Sequence, residues 1–168
     1  MAYSDHVRDA NDLVVRCAVI TLSDTRTPET DKSGQRITEL LKEHGHHIAH
    51  YQLICDEPAD LRALLTRLLT LPDLDAIITN GGTGISRRDS TIEVVESLLA
   101  QSLRGFGELF RMLSYQEIGS GAMLSRAVGG TTGGKLLFAL PGSTGAVDLA
   151  MRKLILPELK HLVHELHK

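Results

Sequence analysis

Short, β-branched apolar runs alternate along the chain with stretches whose apolar positions recur every three or four residues. Val14-Val15-Arg16-Cys17-Ala18-Val19-Ile20-Thr21-Leu22 is nearly continuous in apolarity, the mark of a strand covered on both faces. It ends at Ser23-Asp24-Thr25, and a polar loop runs through Pro28 to Asp31. Asp31 or Ser33 can cap a helix whose Ile37, Leu40, Leu41 and His44 share a face, with Gly45 as its left-handed stop. A second strand over about residues 47–55 ends at Cys55-Asp56-Glu57-Pro58. Asp60 can cap a helix with a Leu61, Leu64, Leu65, Leu68, Leu69 stripe, closed by Pro72. Asp75-Ala76-Ile77-Ile78-Thr79 is a third strand.

This alternation predicts an α/β fold: a parallel sheet with helices on both faces. The carboxyl ends of its strands then share one edge, where ligands bind in such folds. Ser23-Asp24, Asp56-Glu57 and Asn80-Gly81-Gly82-Thr83-Gly84 leave that edge. Beyond them, helices are expected over about 91–100 and 107–115. A hairpin pairs Leu124–Val128 with Lys135–Leu140 around Gly129-Gly130-Thr131-Thr132-Gly133-Gly134. Pro141-Gly142-Ser143-Thr144 opens a last helical stretch, interrupted at Pro157. Phe106, Leu109, Phe110 and Leu113 form a helical stripe for core packing, with burial between subunits as the alternative. Residues 1–13 read as an N-terminal arm and 14–168 as a single domain, with no internal repeat or linker.

Composition narrows the function classes. Of 168 residues, 42% are hydrophobic and 23% charged, which excludes disorder as the main state. Eighteen Lys and Arg against 21 Asp and Glu give a net charge of −3, and aromatics are 4% with no Trp. Both facts argue against a nucleic-acid partner. Cys17 and Cys55 lie in separate apolar runs without metal-type spacing, as expected of reduced, buried residues in a cytosolic protein. The amino terminus lacks a signal-peptide pattern, and no apolar run nears the roughly 20 residues of a membrane span. A soluble, cytoplasmic protein with no membrane partner is expected.

The glycine loop Gly81–Gly84 is the sharpest chemical feature. Glycines straight after a buried strand let backbone N–H groups approach an anion, and Thr83 adds a hydroxyl. Arg87 and Arg88 add local positive charge. Asp56 and Asp89 sit just beyond strand ends on the same edge. Two carboxylates beside an anion cradle suit magnesium carried on substrate phosphates better than a bare anion, which they would repel. Thr21, Ser23, Asp24, Ser143 and Thr144 can supply further polar contacts. Gly129 to Lys135 nearly matches a phosphate-binding P-loop, but Leu136 stands where Ser or Thr is required and a strand follows. Histidines cluster at His44, His46, His47 and His50, and at His161, His164 and His167. No acidic or thiol partner has metal-ligand spacing with either group.

Taken together, Thr21-Leu22-Ser23-Asp24, Asp31-Lys32-Ser33-Gly34, Asp56-Glu57, Gly81-Gly82-Thr83-Gly84 with Arg88-Asp89, Gly105-Phe106-Gly107-Glu108 and Leu140-Pro141-Gly142-Ser143 resemble the molybdopterin-binding MoaB/Mog family of molybdenum cofactor biosynthesis. Phe110 to Gly119, with Ser125-Arg126-Ala127, is most similar to the MoaB branch. The resemblance runs from about residue 15 to 157. It implies a three-layer α/β/α fold with a mixed, mainly parallel sheet, assembled as a homo-trimer or hexamer. It implies adenylylation of molybdopterin with magnesium and ATP, and transfer of the product to a molybdate-inserting partner protein. It places the two required carboxylates at Asp56 and Asp89. It places pterin and phosphate binding at Thr21, Ser23, Gly81, Gly82, Thr83, Gly84, Pro141, Gly142 and Ser143. Thr91-Ile92-Glu93 departs from the family's Thr-Pro-Glu, a change only in backbone pre-setting at a first helical turn. Some relatives in this branch lack activity and have an altered first carboxylate. This chain keeps Asp56, and a non-catalytic pterin-binding or assembly role is the alternative.

Overall fold

The computed structural model describes residues 12–168. Residues 1–11, most of the expected arm, lie outside the described residues; Leu13, the arm's last residue, packs against the core. The chain runs β1 (Arg16–Leu22), α1 (Lys32–Glu43), β2 (His47–Ile54), α2 (Pro58–Leu69), β3 (Ala76–Asn80) and α3 (Thr91–Leu98). It continues with β4 (Gln101–Ser102), α4 (Arg104–Ile118), β5 (Val128–Thr132), β6 (Lys135–Leu140), α5 (Thr144–Ala150) and α6 (Leu156–Leu166).

One six-stranded sheet, ordered β2-β1-β3-β6-β5-β4, holds the molecule together. The first four strands in that order are parallel; β5 is antiparallel to β6 and β4 antiparallel to β5. Alternation along β1 divides the core. Cys17 and Val19 face α1, α4, α5 and α6, while Ala18, Ile20 and Leu22 face α2 and α3. The fold is therefore three-layered, with a mixed, mainly parallel sheet. Phe106 anchors the first layer, edge-on to Phe138 with ring centroids 5.0 Å apart.

Several local expectations are corrected. The fifth strand begins at Val128, and Leu124 closes a 3-10 turn, Gly119–Leu124. The hairpin turns at Gly133-Gly134, with φ of 56° and 71°, as a tight turn of this hand requires. Gly129 and Gly130 lie within the strand instead. A Cβ on Gly129 would sit 2.5 Å from the Phe138 ring, and one on Gly130 would sit 2.2 Å from the Gln101 carbonyl oxygen. Asp60 is not the cap of α2; Glu57 takes that position and Pro58 opens the first turn. The helix expected to end near Ala100 stops at Leu98, before the short strand β4. Helix α4 is longer than the expected 107–115. Pro157 does not break the last helix, because a π-helical turn, Met151–Ile155, precedes it and widens the ladder where the proline has no N–H to give.

Cys17 is buried, and burial followed by the Asp75 charge pushes its thiol up to about 12. Cys55 is exposed, contrary to expectation, because β2 is an edge strand and ends one residue earlier. The apolar stripe on α4 splits: Phe106 and Phe110 are buried, whereas Leu109 is exposed.

His46 sits buried at the start of β2, its Nδ1 accepting the Val15 N–H at 3.3 Å. Burial, then the Lys160 and His44 charges, push its pKa from 6.5 down to about 4. The unfolded chain therefore takes up a proton that the folded chain refuses. Stability should fall as pH drops from about 6.5 toward 4. Urea melts of the wild-type protein and of His46→Asn at pH 7 and pH 5 check this; the variant should show the smaller loss.

Candidate active site

The four parallel strands end level, since Leu22 pairs with Ile54, Thr21 with Asn80, and Asn80 with Leu140. Their following loops therefore leave one edge side by side. Gly81 continues β3 with φ 97°, and its N–H donates to the Leu140 carbonyl at 3.1 Å. A Cβ there would lie 2.2 Å from the Leu22 carbonyl oxygen, so only glycine lets the loop settle between β1 and β6.

Both candidate carboxylates reach this loop. A Cβ on Gly82 would lie 2.6 Å from Asp56 Oδ1 and 2.4 Å from Thr91 Oγ1. A Cβ on Gly84 would lie 2.6 Å from Asp89 Oδ2. Asp89 accepts the Ser86 backbone N–H at 2.9 Å and the Ser86 hydroxyl at 2.5 Å, rather than capping α3. The Ser86 hydroxyl is the main reason its pKa is lowered. Asp56 moves the other way. Burial raises its pKa most, followed by the charges of Asp89 and Asp24, against a lowering by Arg88.

Arg88 is not free to meet an anion here. It pairs with Asp24 Oδ2 at 3.0 Å and Glu57 Oε1 at 2.9 Å. Asp24 Oδ1 also accepts the Asp56 N–H at 3.0 Å, which fixes the loop after β2. Asp24, Asp56, Glu57 and Asp89 thus share one neighbourhood with Arg88, with Arg126 on the Asp89 side, and negative charge stays in excess, an arrangement suited to a cation. Among the described residues no group of three His, Cys, Asp or Glu side chains can hold a metal unaided, the expected histidine clusters included. A hard cation would have to complete its oxygen shell from a ligand, as magnesium does on phosphates. Thr91 Oγ1, on a residue 1% exposed, has no hydrogen-bond partner and lies against Gly82 beside Asp56. A buried hydroxyl left unpaired is costly, and a ligand oxygen or metal-bound water at this point would satisfy it.

The remaining sequence-selected residues fall into two groups. Pro141 and Ser143 line a cleft of about 320 Å³ with Ser114, Glu117 and Ser125. Gly142 packs on the glycine loop, where a Cβ would lie 3.1 Å from Gly81 Cα. Ser143 Oγ accepts the Ala146 N–H at 3.2 Å and caps α5. Thr83 is buried within the glycine loop. Thr21 lies beneath the edge: it is fully buried, donates to Asp31 Oδ2 at 2.7 Å and accepts from Asn80 Nδ2 at 2.9 Å. Ser23 Oγ accepts the N–H groups of Thr25 and Arg26 at 3.3 and 3.1 Å, shaping its own turn.

Sequence reasoning missed Arg26, Tyr51, Asn80 and the contact made by Arg126. Tyr51 and Asn80 join Asp31 in the buried network. Arg126 donates to the Gly84 carbonyl at 2.8 Å and pairs with Glu93. Asn80 carried a signal, an amide closing a wholly buried strand. Arg26 carried none, and Arg126 stood out only within the Ser125-Arg126-Ala127 resemblance, because both act across distant segments.

Comparison with known proteins identifies the family and the fold. The family model described as a probable molybdopterin binding domain matches residues 18–161. The molybdenum cofactor biosynthesis protein B of Bacillus cereus is 53% identical over 169 residues, covering 100% of this chain and 99% of the relative. A crystal structure of molybdenum cofactor biosynthesis protein B superposes with a TM-score of 0.90 at 56% identity, covering 92% of this chain and 97% of the other. The tungsten cofactor synthesizing protein MoaB from Pyrococcus furiosus has a TM-score of 0.82 at 34% identity, covering 92% and 98%.

The raised pKa of Asp56 means that its charge opposes folding. That cost is present in full above the folded pKa and vanishes below the unfolded one. Asp56→Asn should therefore melt at the same temperature as the wild type or higher. Carboxyl NMR titration should find Asp56 shifted down in Asp89→Asn and further up in Arg88→Gln.

Proposed function

Because the chain belongs to the family of probable molybdopterin binding domains, we propose that it serves molybdenum cofactor biosynthesis as a molybdopterin adenylyltransferase. In this hypothesis a terminal phosphate oxygen of molybdopterin attacks the α-phosphorus of ATP. The new P–O bond forms as the bond to the β-phosphate breaks, and pyrophosphate leaves. The observation that carries the reading is the approach of Asp56 to Gly82 and of Asp89 to Gly84, with the unpaired Thr91 hydroxyl between strand end and helix.

Asp56 and Asp89 would hold magnesium, whose chemistry when bound is to neutralise triphosphate charge. The amides of Gly81–Gly84 would fix phosphate oxygens. The turn Pro141–Ser143 and its cleft would take the pterin substrate, with Thr21 and Ser23 shaping the floor and the neighbouring turn. Asp24 would hold the Asp56 loop through its backbone N–H. Positioning and charge neutralisation would then supply most of the rate. The adenylylated product would pass to a molybdate-inserting partner protein in the cytoplasm. Among the described residues no helix is long and apolar enough to cross a membrane.

The direct test incubates purified protein with molybdopterin, magnesium and ATP, then separates the products. Adenylyl-molybdopterin is expected. Asp56→Asn and Asp89→Asn should each cut turnover about 10²–10³-fold, while pterin affinity, read by fluorescence titration, changes little. Pterin binding without magnesium-dependent ATP binding would instead mark a non-catalytic pterin-binding or assembly protein.

Exposed Leu109, Met112, Tyr115, Ile118, Met123 and Leu124 lie on and just after one helix. Apolar surface of this extent supports a homo-trimer or hexamer. Light scattering at micromolar concentration should give a trimeric or hexameric mass; a monomeric mass rejects the assembly.

A further inference from the structure

One guanidinium joins three of the segments that build the edge. Arg26 belongs to the loop after β1, where its backbone N–H donates to Ser23 Oγ at 3.1 Å. Its Nη1 donates to Ser33 Oγ at 2.6 Å, in the first turn of α1, and lies 3.4 Å from Asp31 Oδ1. Its Nη2 donates to the Gly142 carbonyl at 2.7 Å, in the turn between β6 and α5.

The near end of this fork rests on a rigid base. Asp31 is fully buried and also accepts from Thr21 at 2.7 Å and Tyr51 at 2.6 Å. The Ser33 hydroxyl in turn donates to Asn80 Oδ1 at 2.7 Å. The far end holds a turn that touches the glycine loop, since a Cβ on Gly142 would lie 3.1 Å from Gly81 Cα. Gly142 thus stands between Gly81 of the glycine loop and the cleft lined by its neighbours Pro141 and Ser143.

We infer that Arg26 is a positioning residue for the molybdopterin site: its planar fork sets the Pro141–Ser143 turn against the glycine loop. This deepens the proposed function and rests on it. The geometry demands a guanidinium rather than a charge. Two nitrogens on one plane reach Ser33 and Gly142 at once, and the single nitrogen of a lysine reaches only one. The hydrogen bond to Gly142 is also charge-assisted, which makes it stronger than a neutral contact.

The test measures molybdopterin affinity by fluorescence titration in the wild type, Arg26→Lys, Arg26→Ala and Ser33→Ala, each with a melting curve. Arg152→Lys is the control, since that arginine bonds Asp148 one helical turn away from any proposed site residue. Affinity should fall about tenfold or more in both Arg26 variants, with lysine no better than twofold over alanine. Ser33→Ala, which leaves the Gly142 bond in place, should lose about threefold. Millimolar methylguanidinium should recover part of the Arg26→Ala loss, a response that general loosening of the fold would not give. If Arg26→Ala does not fold, the lysine and serine variants carry the test. Wild-type protein that fails to bind molybdopterin overturns the functional reading and this inference with it. Wild-type binding with Arg26→Lys within twofold of it, or an alanine variant that is indifferent to methylguanidinium, overturns the inference alone.

Discussion

The edge of the sheet depends on a buried carboxylate. Asp31 has no exposed surface, and burial alone would push its pKa up. Hydrogen bonds from Tyr51, Thr21 and the Gly34 N–H, with the Arg26 charge, more than reverse that effect and hold it ionised. A buried charge is tolerable only when so satisfied, and removing one partner of such a group costs about 3–5 kcal/mol. The donors come from β1, β2, α1 and the first loop, and Thr21 is linked onward to Asn80 at the end of β3. Satisfying one charge therefore locks the ends of β1 and β3, the middle of β2 and a helix start into one arrangement. The glycine loop and the turn after β6 are built on that platform.

Above the platform the balance is opposite. Asp24, Asp56 and Glu57 are gathered around Arg88, Asp89 faces Asp56 with Arg126 on its other side, and the cluster keeps more negative than positive charge. The ionised form of Asp56 therefore weakens the fold, a cost that the cation of the proposed function would offset. Thr91 makes the same point with a neutral group. Its hydroxyl is out of water and unpaired beside Asp56, so the free protein carries a cost that a ligand can remove. Asp56 and Asp89 have pKa values displaced in opposite directions although they flank the same loop. The cause is local: Asp89 is held by Ser86, while Asp56 is half-buried and faces other carboxylates.

Glycine and apolar surface show how backbone and packing share the work. Gly81 is required by its φ of 97° and by the Leu22 carbonyl 2.2 Å from where its Cβ would stand. Gly129 is required by neither twist nor turn but by the Phe138 ring packed on its Cα. On α4, Phe106 and Phe110 complete the core, while Leu109, Met112, Tyr115 and Ile118 remain outside it. A helix that is apolar on two sides has one side more than a single chain can bury.

The strand and helix order, the layers and the edge that carries the loops were legible in the sequence. Periodicity records which face is buried, and β1, β3 and β6 are largely apolar, wholly or almost wholly buried runs. The approach of Asp56 and Asp89 to the glycine loop also followed, because each comes just after a strand or loop whose direction the parallel order sets. The two-residue strand β4 could not be read, since so short a segment has no period. Cys55 was misjudged because exposure at an edge strand depends on sheet order, which a local pattern does not contain. The roles of Arg26 and Tyr51 were decided by tertiary structure alone, as were the partners of Asn80, which the sequence marked only as an amide closing a buried strand. Each bonds across segments far apart in the chain, and a hydrogen bond of that kind exists only once the strands have been placed side by side.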